Sequence, residues 1–173
     1  MVANPYYQFS MCFQRLYPYA IFRLRQKEQS NEVHKVAYLT FDDGPRPEVT
    51  PWVLDMLDKY NAKATFFCIG KNVEMFPELF EEVKRRGHAV GNHSYSHVKG
   101  WGMQTGDYVR DIDIAGDMIK SNLFRPPYAR IGTNQARMLG ERYKIIMWDI
   151  ISRDYNQSLS GEACARNVIP YLE

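Results

Sequence analysis

A chain of 173 residues, 45% hydrophobic and 24% charged, is long enough for one globular domain with a sizeable core and too short for two full ones. Its 22 Lys and Arg against 20 Asp and Glu leave a formal charge of +2, too small and too interspersed for a phosphate-binding groove, so nucleic acid is not an expected partner. No run approaches the ~18 apolar residues of a membrane span, and Gln8, Ser10, Gln14 and Arg15 interrupt any signal-peptide core, which leaves a cytoplasmic location by default.

Residues 1–34 carry seven aromatics between Tyr6 and Phe22, then a polar stretch from Arg25 to Glu32, and are expected to form a clasp and a linker ahead of a domain over 35–173. A strand over Val36 to Phe41 leads to a helix in which Thr50 caps, Pro51 takes the first position, and Val53, Leu54, Leu57 and Tyr60 share a face. Ala64 to Ile69 reads as the next strand, and Pro77 opens a helix with Leu79, Phe80 and Val83 inward, ended by Gly87. A third strand, His88 to Gly91, precedes a helix in which Tyr108, Ile112, Ala115 and Ile119 keep helical spacing. A short strand near Leu123 to Arg125 is broken by Pro126 and Pro127. A helix from Thr133, a strand over Lys144 to Ile150 and a last helix capped by Ser160 follow.

Five strand–helix units predict an α/β fold with a parallel sheet and right-handed crossovers, either an open doubly wound sheet or a barrel. The glycine-rich turn of a dinucleotide fold is missing, and the length falls short of the about 250 residues of a closed eight-unit barrel, so a barrel here is smaller or incomplete. Cys12, Cys68 and Cys164, odd in number and far apart, are expected to be buried reduced thiols.

The polar residues that stand out follow the strands: Asp42 and Asp43 the first, His93 and His97 the third, Arg125 the fourth, Asp149 and Asp154 the fifth. In parallel α/β folds these strand ends converge on one rim. The spacing of His93 and His97 predicts two imidazoles on one side of a helical turn, able to chelate an ion whose third ligand is a carboxylate from another strand. Adjacent carboxylates at Asp42 and Asp43 are costly unless a cation shares them; simple turn chemistry before Gly44 is the alternative.

Thr40-Phe41-Asp42-Asp43-Gly44-Pro45, His93-Ser94-Tyr95-Ser96-His97 and Arg125-Pro126-Pro127-Tyr128 resemble the first three motifs of the polysaccharide deacetylases, the NodB-homology enzymes of carbohydrate esterase family 4. The resemblance runs from about residue 36 to 173 and implies a distorted, incomplete (β/α) barrel. It also implies hydrolysis of N-acetyl groups on an amino-sugar polymer or oligomer of chitin or peptidoglycan type, with one divalent ion, zinc being expected. By that likeness Asp43, His93 and His97 hold the metal, Asp42 is the general base, Arg125 keeps Asp42 ionised and oriented, and the Tyr128 backbone N–H meets the oxyanion. Tyr128, Tyr155 and Trp148 would contact substrate, and Asp154 would orient a histidine.

The chain departs from the family pattern at three places. Ala129 stands where glycine is common, Asp154-Tyr155 replaces Asp-Trp, and a fifth motif of the form Leu-x-His has no counterpart before Glu173. His34 and His88 are not placed to replace that histidine, so Asp154 is expected to lack its partner and protonation of the leaving amine to be poor. A non-catalytic metal-containing sugar-binding module and a cyclic-amide hydrolase are the alternative readings. The polysaccharide and the oligomeric state are left open.

Overall fold

The computed structural model describes residues 17–24 and 36–172, which fall into two units: Tyr38–Ile146, and the described stretches that flank it in the sequence. The strands in chain order are β1 (Ala20–Ile21), β2 (Leu39–Gly44), β3 (Ala64–Cys68), β4 (Ala89–Asn92), β5 (Leu123–Phe124) and β6 (Lys144–Ile146). The helices are α1 (Thr50–Lys59), α2 (Gly70–Met75), α3 (Pro77–Arg85), α4 (Thr105–Ile119), α5 (Thr133–Gly140) and α6 (Gly161–Arg166).

Within Tyr38–Ile146, β2 to β6 are parallel and lie side by side in chain order. That order decides between the two sheet types the alternation allowed. A doubly wound sheet reverses direction at a switch point, whereas a barrel wall adds each strand beside the last. β2 and β6 do not pair with each other, so the wall is unclosed and the fold is an α/β partial barrel.

The period of two along β3 divides its side chains between the layers. Ala64, Phe66 and Cys68 pack with Val53, Leu54 and Leu57 of α1, Val73 of α2, Phe80 and Val83 of α3, and Ala115 and Ile119 of α4. Phe67 points the other way and is fully buried. Each fully buried Leu, Val or Phe contributes about 1.5–3 kcal/mol relative to exposure. Of the predicted inward faces of α3 and α4, Phe80, Val83, Tyr108, Ile112, Ala115 and Ile119 are buried, whereas Leu79, beside Phe80 at the margin of the face, is only half-buried.

Several local expectations are corrected. Thr50 lies inside α1 rather than capping it, and its Oγ1 accepts from the Arg46 N–H at 2.8 Å. Tyr60, at the C-cap, leaves the buried face and is exposed, with the Lys59 ammonium over its ring. The strand expected over Lys144 to Ile150 stops at Ile146: its partner β5 is only two residues long, ended by the prolines, so the ladder runs out after Ile145 opposite Phe124. Gly70–Met75 forms a helix for which the sequence had shown no periodic face.

In the flanking unit, the Met147 N–H donates to the Ile21 carbonyl at 2.9 Å, and Phe22 is buried. The Ser160 hydroxyl caps α6 as expected, accepting from the Ala163 N–H at 3.2 Å. Cys68 is a buried free thiol whose pKa burial pushes up to about 12; Cys164 is free and half-buried rather than buried. The aromatics from Tyr6 to Phe13, the stretch Arg25 to Glu32, Cys12 and His34 lie outside the described residues. No described helix is long and apolar enough to cross a membrane.

Candidate metal and catalytic site

At the C-terminal end of β2 the pairing with β3 runs Asp42 opposite Phe67 and then Gly44 opposite Cys68, which leaves Asp43 as an extra residue. Asp43 has φ 68°, and its carbonyl accepts from Asn72 Nδ2 at 2.8 Å. A bulge of this kind re-aims a side chain at a strand end. Thr40 and Asp42, two apart and so on one face, both accept from Nη1 of Arg125 at 2.8 Å. Asp43 turns instead toward two histidines, with Oδ1 3.4 Å from His93 Nε2 and 3.1 Å from His97 Nε2.

Those histidines come from the loop after β4, not from a helical turn. Ser94 and His97 have φ 64° and 56°, which no α-helix accommodates. Side-chain acceptors hold the loop in this shape: Asn92 Oδ1 takes the Ser94 N–H, and Asp111 Oδ1, on α4, takes the N–H groups of Tyr95 at 2.8 Å and Ser96 at 3.1 Å. The two rings still meet, with centroids 5.1 Å apart.

The third contribution follows β5. Arg125 is 3% exposed, its guanidinium 4.1 Å over the Phe67 ring and its Nε donating to the Ile146 carbonyl at 3.2 Å. Burial lowers the guanidinium's pKa, and the Asp42 carboxylate counters that shift. After Pro126 and Pro127, Tyr128 and Ala129 adopt φ 59° and 54°, and the Tyr128 ring lies 4.7 Å from that of His97. The Tyr128 N–H has no acceptor among the described residues.

The donor set fits a divalent ion. Asp43, His93 and His97 each offer one ligand atom, and these atoms all lie within 4.8 Å of one another. Tetrahedral ligands at about 2.1 Å from an ion stand about 3.4 Å apart. The Nδ1 of His93 is 2.7 Å from the Arg125 carbonyl, and a carbonyl only accepts, so Nδ1 carries the proton and Nε2 presents its lone pair to the Asp43 carboxylate. Two acceptors face each other there, an arrangement that requires a cation between them or protonation of the imidazoles. In the second case the rings donate from Nε2, and these hydrogen bonds, from His93 first and then His97, hold the Asp43 carboxyl well below the usual carboxylate range.

The structure thus brings together Asp42, Asp43, His93, His97, Arg125 and Tyr128. Asp149, Trp148, Asp154 and Tyr155 belong to the flanking unit. There Asp149 accepts from Arg23 Nε at 2.6 Å, Asp154 accepts from the Ser152 hydroxyl at 2.7 Å, Trp148 is half-buried and Tyr155 is exposed. His88 is buried at the start of β4, at the opposite end of the strand from His93. Sequence reasoning gave no role to Thr40, Phe67 or Asp111. The period of two linking Thr40 to Asp42 was a readable signal for the first; Phe67 and Asp111 carried none.

The family described as polysaccharide deacetylase matches residues 29–143. A peptidoglycan-N-acetylglucosamine deacetylase of Bacillus cereus is 35% identical over 138 residues, covering 76% of this chain and 50% of the relative. The structure of peptidoglycan deacetylase PdaC from Bacillus subtilis superposes with a TM-score of 0.74 at 31% identity, covering 79% of this chain and 69% of that one. A mutant of BA3943, a family 4 pseudoenzyme with restored enzymatic activity, superposes at 0.72 with 26% identity over 79% of this chain and 52% of that one. The chain spans about half or less of the length of the curated relatives it matches, 50% and 30% for the first two.

Proposed function

This chain belongs to the polysaccharide deacetylase family, and from that premise we propose that it removes N-acetyl groups from an amino-sugar polymer or oligomer of peptidoglycan or chitin type, releasing acetate. Residues 35–173 would carry the reaction, with 1–34 as clasp and linker. The observation that carries the reading is the pair of adjacent carboxylates with separate surroundings, Asp42 on Arg125 and Asp43 against two imidazoles.

Asp43, His93 and His97 would hold one divalent ion, with zinc the expected occupant of a two-imidazole, one-carboxylate set. Such an ion, when bound, polarises the amide carbonyl and acidifies water. The chain's own groups do the rest. Asp42, kept anionic and fixed in direction by Arg125, accepts the proton of the attacking water as the new C–O bond forms. The Tyr128 N–H, left without an acceptor among the described residues, donates to the carbonyl oxygen as it gains charge. Before the C–N bond breaks the departing nitrogen must receive a proton, and Asp42 then holds one.

Acetate release from N-acetylglucosamine oligomers and from peptidoglycan fragments, with zinc supplied, tests the reading. Asp42→Asn is expected to lower turnover by roughly 10² to 10⁴ while leaving zinc stoichiometry at one, because the Asn keeps the shape and loses the base. Sugar binding without acetate release by the unaltered chain would instead favour the non-catalytic module.

A further inference from the structure

The loops that carry His97 and Tyr128 continue into a second exposed feature. Trp101, four residues beyond His97, is 53% exposed, yet its Nε1–H donates to the Ile131 carbonyl at 3.1 Å. The guanidinium of Arg130, two residues beyond Tyr128, lies 5.5 Å from the centre of its ring. The backbones are joined as well, by the Gly100 N–H donating to the Arg130 carbonyl at 2.7 Å. Buried Gln135 fastens both loops: its Nε2 donates to the carbonyls of Gly100 and Met103 at 2.9 and 3.1 Å, and its Oε1 accepts the Gly132 N–H at 2.7 Å. An exposed indole held this firmly offers an apolar face with little ordering cost on binding.

Charge gives the platform a preference. No Asp or Glu occurs in residues 94–106 or 118–140, whereas Lys99, Arg130 and Arg137 do. Arg130 makes no ion pair among the described residues, and its guanidinium lies against the indole. Four residues span at most about 14 Å, so the platform is within reach of a neighbouring sugar on a polymer bound at the His97 end of the loop.

We propose that Trp101 and Arg130 form a subsite for the sugar next to the one being deacetylated, the indole stacking on its C–H face and the guanidinium pairing with a carboxylate that it carries. The subsite rests on the deacetylase reading for its substrate and narrows it: acidic amino-sugar polymers, with a carboxylate on the alternate sugar, are taken in preference to neutral ones.

Two oligomers of equal length separate the contributions, one of N-acetylglucosamine alone and one alternating N-acetylglucosamine with N-acetylmuramic acid. Dissociation constants are measured by calorimetry on the zinc-loaded protein carrying Asp42→Asn, and kcat and KM for acetate release on the chain without it. Trp101→Ala is expected to raise Kd and KM about tenfold for both oligomers, with kcat within about twofold, and Trp101→Phe to restore most of the loss. Arg130→Gln should raise both constants roughly three- to tenfold for the acidic oligomer alone. Zinc affinity, unmoved in all three variants, excludes mere loosening of the His97 loop.

Unchanged Kd values, or a loss of zinc affinity that parallels them and is not restored by Phe, would overturn the subsite. An equal effect of Arg130→Gln on both oligomers would overturn the carboxylate pairing. If no acetate is released but Kd shifts as described, the deacetylase reading fails and the subsite stands.

Discussion

At Asp43 one left-handed residue separates the surroundings of two adjacent carboxylates, and the same conformation recurs at Ser94, His97, Tyr128 and Ala129. Left-handed backbone costs an L-residue roughly 1–2 kcal/mol, so every site loop stores some strain. Ala129, where the family commonly has glycine, offers the cleanest measurement because its methyl group takes no part in the proposed chemistry. Ala129→Gly removes the left-handed penalty but frees the unfolded chain, so the net gain in stability is expected to be up to about 1 kcal/mol. Urea unfolding of the two proteins side by side checks it, and a loss of stability would mean that the methyl packs more than it strains.

The loop after β4 depends on α4. The helix buries Tyr108, Ile112, Ala115 and Ile119 on one side, and this seating brings Asp111 beside the loop that presents His93 and His97. Asp111→Ala leaves two loop N–H groups without their acceptor and lets the imidazoles drift. Zinc affinity is expected to fall roughly tenfold, as it does when an outer partner of a ligand is lost, with helical content unchanged. Asp111→Asn keeps an acceptor oxygen and should retain most of the affinity; calorimetric zinc titration distinguishes the two. On β4 itself, a Cβ on Gly91 would come within 2.5 Å of the Phe67 ring that underlies Arg125. Glycine there makes room for the support of the Arg125–Asp42 pair.

Across the Tyr38–Ile146 unit, the site residues gather at the C-terminal strand ends, and a buried imidazole, His88, sits at the other end. Its Nδ1 accepts the Ala64 N–H at 3.3 Å, so Nε2 holds the proton, buried with no partner among the described residues. Burial first, then the charge of Lys63, holds the imidazole's pKa below its ordinary value, against an opposing pull from Asp58. A cationic acid with a depressed folded pKa contributes stability that is present above the unfolded pKa. That contribution is lost as pH falls from the unfolded pKa toward the folded one, because the unfolded chain binds a proton that the folded chain refuses. His88→Gln is therefore expected to be less stable than the unaltered chain at about pH 7.5, with the gap narrowing by about pH 5. Denaturant melts at the two values check this, and a gap that widens on acidification would show His88 to be stabilised as a cation.

From the amino-acid order alone came the alternation of strands and helices, the apolar faces of α3 and α4, the Ser160 cap and the residues that assemble around Asp43, because periodicity and turn chemistry are local properties. The motif spacings also placed His93, His97 and Arg125 after their strands, whereas Asp42 and Asp43, expected to follow a strand ending at Phe41, lie within β2 because its pairing with β3 carries on to Gly44. The shape of the His93–His97 segment was misread as helical: four-residue spacing is shared by a helix and by any loop that doubles back, and the acceptors on Asn92 and Asp111 that select the loop are fixed only once α4 is seated. Likewise, the choice between a doubly wound sheet and an unclosed barrel wall lay in strand order, and the separation of Asp42 from Asp43 lay in a bulge set by pairing with β3. Those features were decided only in three dimensions, because each depends on which distant backbone a strand or loop meets.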